Sequence, residues 1–217
     1  VSWDFAMAIV PGWHATIFAP YFVAGAIFSG VGMVITLTVP MRKFFGLEAY
    51  LTTKHYDAMA KLCLLTSMIV LYAYMSEFFM AWYSGEEVER TAFWNRLFGD
   101  YWWATWTMLV CNGLVPIMLW FKRVRHSIPA LFVISIFINI GMWFERFVIV
   151  VTSLHHEYEP FAWGIYRPST TEMMIMVGSF AWFGFWFLLF TRLLPPIAIQ
   201  ELKEVLPPPM RKQKEAH

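Results

Sequence analysis

Five uninterrupted apolar stretches constrain this chain more than anything else in it. They run over roughly residues 16–40, 57–83, 101–121, 128–152 and 171–194. As α-helices rising about 1.5 Å per residue, each is long enough to cross the ~30 Å hydrocarbon layer of a bilayer. Their apolar residues continue round every face, the pattern of a helix surrounded by lipid or by other apolar helices. A soluble domain carries about a quarter charged residues; here 14 % of the 217 residues are charged and 59 % are hydrophobic. The expected fold is therefore all-α, a polytopic transmembrane bundle over residues 1–194 with about five spanning helices. A Pro-rich and then basic tail, expected to be cytoplasmic, follows over 195–217. The chain opens on Val1 without a basic segment and cleavage site, and it reads as part of a longer subunit.

The loops set an orientation. The 41–56 loop carries Arg42, Lys43 and Lys54, the 122–127 loop Lys122, Arg123 and Arg125, and the C-terminal segment Arg192, Lys203, Arg211, Lys212 and Lys214. The 84–100 and 153–170 loops between them are acidic on balance. Positive charge favours the cytoplasmic side, so the N-terminal stretch is expected outside and the C-terminus inside. Trp82, Tyr83, Tyr101, Trp102, Trp103, Trp120 and Trp163 fall at span ends, as an interfacial aromatic belt would. Gly25, Gly30 and Gly32 would let the first span approach a neighbour closely, and Pro116 should kink the third.

Several chemistries are disfavoured. A net charge of +1 implies no nucleic acid partner. Cys63 and Cys111 sit in apolar runs without metal-ligand spacing, so no zinc or iron–sulfur site is expected in this chain. No histidine lies deep in a span, so haem b is not expected either. Phosphate-binding and dinucleotide fingerprints are absent from the sequence.

Against this apolar background a few charges stand out. Glu145 and Arg146 lie about seven residues, some 11 Å, from the outer end of the fourth span, and Glu77 lies at a similar depth in the second. A lone charge there costs several kcal/mol, about enough to force it to pair, protonate or meet water. Neighbouring helix positions point about 100° apart, so Glu145 and Arg146 each need a partner elsewhere; Glu77 is one candidate for Arg146. Ser135, Asn139 and Arg146 share one face of the fourth span, and Thr66, Tyr74 and Glu77 one face of the second. At the inner end of the second span stand His55, Asp57 and Lys61. A proton path through His55, Asp57, Lys61, Tyr74, Glu77, Glu145 and Arg146 is one reading, although about 24 Å separates Lys61 from Glu77. A static ion pair that fixes helix register is the other.

The outer stretch SWDFAMAIVPGWHATIFAP holds one acid, Asp4, and one imidazole, His14, among Trp3, Phe5 and Trp13. A carboxylate and a histidine beside aromatic rings suit a quinol headgroup, which the rings stack against while the polar groups bond and deprotonate its hydroxyls. Interfacial anchoring explains the same residues without a ligand.

Three strings, SWDFAMAIVPGWHATIFAPYFVAGAIFSG, YAYMSEFFMAWYSG and NIGMWFERFVIVVTSLH, resemble the polysulphide reductase/NrfD-type membrane subunits, and most of all the ActC-type subunit of bacterial alternative complex III, in its C-terminal half. The resemblance runs to about residue 206. It implies a helical, multi-pass subunit of the bacterial inner (cytoplasmic) membrane in a quinol:electron-acceptor oxidoreductase. Such a subunit would oxidise quinol or menaquinol near the periplasmic face, beside an iron–sulfur subunit, and electrons would pass to iron–sulfur clusters and c-type haems on partner cytochrome subunits. A homologous NrfD-type subunit would be among the membrane partners. On this likeness Asp4 and His14 are the quinol-site contributions, and Glu77, Glu145 and Arg146 match charged positions on a suggested proton route. Two alternatives stay open: a structural membrane anchor for electron-transfer subunits, and a polysulphide-reductase-type quinone subunit. A secondary transporter would need broken helices or repeats, and the sequence shows neither.

Overall fold

The computed structural model describes residues 1–155, 161 and 163–194. The proposed tail at 195–217, and part of the 153–170 loop, lie outside the described residues. Two compact units divide the chain, 1–166 and 167–217.

Among the described residues the first unit contains a short α1 (Ser2–Ala6), α2 (Phe18–Phe44), α3 (Thr53–Tyr83), α4 (Glu87–Phe98), α5 (Trp102–Trp120), α6 (Lys122–Arg125) and α7 (Ile128–His155). The second unit contributes α8 (Thr170–Leu193). Helices α2, α3, α5, α7 and α8 are each long and apolar enough to cross a membrane, in agreement with the five expected spans. Their ends follow local chemistry. Thr52 and His55 form a reciprocal cap at the start of α3, and Ser169 and Glu172 do so at α8, where the Ser169 N–H donates to Glu172 Oε2 at 2.6 Å. The 84–100 segment, read from sequence as a loop, contains α4. Its face of Ala92, Phe93 and Arg96 is buried against the bundle.

The four spans of the first unit form an up-and-down bundle. Helix α2 packs on α3 and α7, and α5 packs on α7 and α3, which leaves α3 and α7 facing across the middle. Two apolar layers fill it. One gathers Phe18, Tyr21, Val70, Tyr74, Ala104, Met108, Val148 and Ile149 at the α1/α4 end; the other gathers Phe28, Tyr56, Cys63, Leu119, Leu131, Ile138 and Met142 towards the opposite end.

Small residues set the spacing between helices. A Cβ on Gly32 would lie 2.9 Å from Ile138 Cγ2, so this glycine brings α2 onto α7. Gly25 faces Met142 and Glu145, whereas an added Cβ on Gly30 has nothing within 4 Å among the described residues. The tightest approach was not anticipated: a Cβ on Gly141 of α7 would stand 2.6 Å from Cys111 Cβ and collide with Asn112 Oδ1 on α5.

Pro116 leaves a distinct signature. The α5 backbone widens into a π-helical turn over Val110–Leu114, resumes as α-helix at Val115–Ile117 and tightens to a 3₁₀ turn at Met118–Trp120. Proline has no N–H to give and its ring crowds the carbonyl four residues earlier, that of Asn112. The turn places Cys111, Asn112 and Gly113 all in the interior, three successive buried residues that a regular helix packed on one face would not supply. A second π-helical turn, Val148–Thr152, follows Glu145 and Arg146 on α7.

Candidate functional site: a buried carboxylate cluster beneath helix α4

Glu145 is fully buried in the middle of the bundle. Its Oε2 accepts the Tyr74 hydroxyl from α3 and, at 3.2 Å, the Asn112 amide Nδ2 from α5. The same Nδ2 stands 3.1 Å from the Tyr74 oxygen, which closes a triangle of side chains from three helices. Each member needs its own local cause. Tyr74 sits on the inward face of α3, Asn112 is turned in by the π-helical turn, and Gly141, one helical turn before Glu145, makes room for the Asn112 carboxamide. A carboxylate in hydrocarbon is stable only with such donors or with a proton.

Among the described residues the second oxygen, Glu145 Oε1, has no hydrogen-bond partner, and neither do Glu77 Oε1 and Thr105 Oγ1. Glu77, Glu145 and Thr105 line one small cavity of ≈ 20 Å³ with Tyr21, Tyr74 and Arg96. A polar space of that size has room for about one water, which would satisfy these orphaned oxygens together, but not for a quinol ring.

Arg96 enters the cavity from α4. Its Nε donates to Thr152 Oγ1 at 3.1 Å and its Nη2 to Ser153 Oγ at 2.6 Å, both at the widened end of α7. The guanidinium also lies over the Phe93 ring, 4.5 Å from its centroid. Burial draws Arg96 below the usual arginine range, opposed by the nearby Glu77 carboxyl; with so high an ordinary value the group stays cationic. Its guanidinium lines the cavity with Glu77 and Glu145, and it was absent from the residues singled out in the sequence.

Arg146 behaves differently. Its guanidinium stacks on Phe22 of α2, 3.8 Å from the ring centroid, and among the described residues no carboxylate lies within ion-pair distance. The suggested Arg146–Glu77 pair therefore does not form. The predicted divergence of Glu145 and Arg146 is present: one faces α3 and α5, the other α2. The polar stripe on α7 also faces α2, where the Thr36 hydroxyl donates to Ser135 at 2.8 Å and accepts from the Asn139 amide at 2.9 Å. Among the described residues Thr66 bonds its own helix, to the Leu62 and Cys63 carbonyls.

At the outer-assigned end, Asp4 is exposed. His14 holds Glu89 Oε1 at 3.0 Å through Nε2, while its Nδ1 lies 3.3 Å from the Val10 carbonyl. Both ring nitrogens face acceptors, so His14 must give up one contact to bind a ligand. Trp13 is part of the same knot: its indole N–H donates to the Ile149 carbonyl at 2.9 Å, and its ring packs edge-on against Phe5 at 4.7 Å.

The opposite end carries a separate ionic cluster. Asp57 bridges Lys61 at 2.6 Å and Arg125 at 2.9 Å, with His126 Nδ1 at 3.9 Å. Arg125 also caps the end of α5 through the Leu119 and Trp120 carbonyls. His55 belongs to the α3 cap, its Nδ1 accepting the Thr52 N–H at 3.2 Å. Between this cluster and the Glu145 cavity lies the second apolar layer.

The model of the polysulphide reductase NrfD family matches residues 3–156, most of the chain and the whole four-helix bundle. The chain belongs to the NrfD family. Members of this family are membrane subunits of redox complexes that interact with quinone and typically partner with iron–sulfur subunits. The matched region includes Asp4, His14, Tyr74, Glu77, Arg96, Asn112 and Glu145. No curated protein matches the chain.

Proposed function

We propose that this chain is part of a quinol-oxidising subunit of a multi-subunit respiratory or photosynthetic complex in the bacterial inner membrane, of the ActC type found in alternative complex III. Quinol or menaquinol binds at the α1/α4 end, which is the periplasmic face on the loop-charge argument. Its oxidation releases two electrons and two protons. The electrons leave to an iron–sulfur cluster on a partner subunit and then to c-type haems on cytochrome subunits; a homologous NrfD-type subunit completes the membrane part. The protons are taken up at Asp4 and His14.

The observation that carries this reading is the paired carboxylates of the NrfD bundle, Glu77 and Glu145, around a water-sized cavity directly beneath the helix that binds His14. A fully buried acid held by a tyrosine and an amide is costly as a mere brace, because apolar residues would pack there with less penalty. As a proton-holding site next to a quinol it has a use: it takes up or releases a proton as charge changes near His14. The cavity is too small for the quinol itself, so the ring docks at the surface among Phe5, Trp13 and groups from the rest of the complex. Tyr74, Glu77 and Glu145 make the outer portion of a proton path, with Arg146 at its rim and His55, Asp57 and Lys61 at the inner mouth.

The test is quinol-dependent reduction of the acceptor by the assembled complex carrying Asp4→Asn or His14→Gln. The reading expects weaker quinol affinity or slower turnover with assembly intact. Turnover and affinity equal to the parent complex would favour a purely structural anchor. Faster quinone reduction than quinol oxidation at matched driving force would favour a polysulphide-reductase-type subunit.

A further inference from the structure

Helix α4 joins two places that the sequence keeps apart. Glu89 and Arg96 are seven residues apart on it, two turns, and so project from the same side over about 10 Å. Glu89 holds the His14 imidazole at the surface, and Arg96 reaches the Glu77–Glu145 cavity. The 10–16 loop closes the circuit: Gly12, at φ +79°, lies against Arg96, and a Cβ there would stand 2.6 Å from Nη2. Only glycine combines that backbone with that contact. Trp13 pins the same loop to Ile149, in the π-helical turn that also supplies Thr152 to Arg96.

We infer that α4 is a positioning element that couples His14 to the buried carboxylates, with Glu89 gripping the imidazole and Arg96 holding the cation of the Glu77–Glu145 cavity. The inference rests on the reading of His14 as a quinol-site residue but does not need quinol turnover to be tested. When His14 changes charge or leaves Glu89, the Glu89 carboxylate loses its partner, and the change is passed along α4 to Arg96 on its buried face. The groups that face this unit are Glu86 and Glu89 beside His14, Tyr21 from α2, Tyr74 and Glu77 from α3, and Glu145 with its neighbour Arg146 from α7. Movement of a cation among two carboxyls decides how much of the pair is protonated. Coupling of this kind is reciprocal: protonation of the cavity also alters the hold on His14.

The measurement is infrared spectroscopy of the assembled complex in membranes without quinol, following the carboxylic-acid C=O band assigned by Glu77→Gln and Glu145→Gln. In Arg96→Gln the band at neutral pH rises about twofold or more, because the neighbouring cation is gone; Arg96→Lys restores it towards the parent intensity. In the parent complex the band steps over roughly pH 5 to 8, the range in which a histidine switches, and the step disappears in His14→Gln and in Glu89→Gln. An unchanged band in Arg96→Gln overturns the inference. Should Arg96→Gln fail to assemble, the two surface variants decide: a step that survives both of them also overturns it. Loss of quinol turnover in the parent complex would sink the functional reading while leaving these bands interpretable.

Discussion

The Tyr74 hydroxyl donates to Glu145 from the opposite helix of the bundle, so α3 and α7, which share few other contacts, are tied at their centre by a hydrogen bond to a buried acid. The Asn112 amide reaches the Tyr74 oxygen and Glu145 Oε2, so removal of one donor to the acid leaves a second in place. Tyr74→Phe should therefore weaken the bundle without unfolding it. A hydrogen bond to a charged group is worth about 1.5–3 kcal/mol. The complex should assemble with a lower thermal midpoint. Asn112→Leu in the same background should cost more than the two single changes added, because the acid is then left without a donor. Strict additivity would mean that the three groups do not act as a unit.

Gly141 and Gly30 offer an internal comparison. A methyl at Gly141 meets Cys111 and the Asn112 carboxamide, whereas one at Gly30 meets nothing. Gly141→Ala should cost about 1–3 kcal/mol through overpacking and displace Asn112 from Glu145. Gly30→Ala should be neutral or slightly stabilising, since alanine is the better helix former. Thermal denaturation of the two purified complexes compares them directly.

At the far end, Arg125→Ala should lower the thermal midpoint more than Lys61→Ala. Arg125 ties α6 to both Asp57 and the last carbonyls of α5 and is mostly shielded from solvent, whereas Lys61 is 61 % exposed and makes one pair. The difference should persist in high salt, because the carbonyl contacts are short-range. Equal shifts would show that Arg125 acts through its charge alone.

Gly12→Ala tests the loop that backs Arg96. The added methyl meets the guanidinium and the positive φ is lost to a non-glycine residue at a cost of about 1 kcal/mol or more. The variant should resemble Arg96→Gln in its carboxyl band while retaining the arginine. A parent-like band would show that Arg96 tolerates displacement.

Much of this architecture was legible in the sequence, because hydrophobic length is a strong signal and the ends of all five spans fall within a few residues of their expected places. The divergence of Glu145 and Arg146 followed from helix geometry alone, as did the common face of Ser135, Asn139 and Arg146. What escaped were features that depend on which helix meets which. Arg146 had an obvious formal partner in Glu77, yet it meets an aromatic ring on α2. Arg96 lay in a segment read as a loop, acidic on balance; the pattern of Ala92, Phe93 and Arg96 on one face was the available clue. Asn112 was a lone amide in an apolar span, and Pro116 four residues later marks the helix distortion that turns it inward. The sequence does not reveal that Asn112 meets Glu145, because the meeting requires the close approach at Gly141.

The central claim is that Glu145 holds a proton for quinol chemistry and is not only a brace between helices. The most direct measurement is proton release per electron, with quinol turnover, in vesicles containing the assembled Glu145→Gln complex. The amide keeps the shape and can still accept from Tyr74, so assembly and quinol affinity should be retained. Turnover should fall about tenfold or more, or proton release per electron should drop, in keeping with loss of a positioned acid–base group. Parent-like turnover and proton release in an intact Glu145→Gln complex would contradict the account.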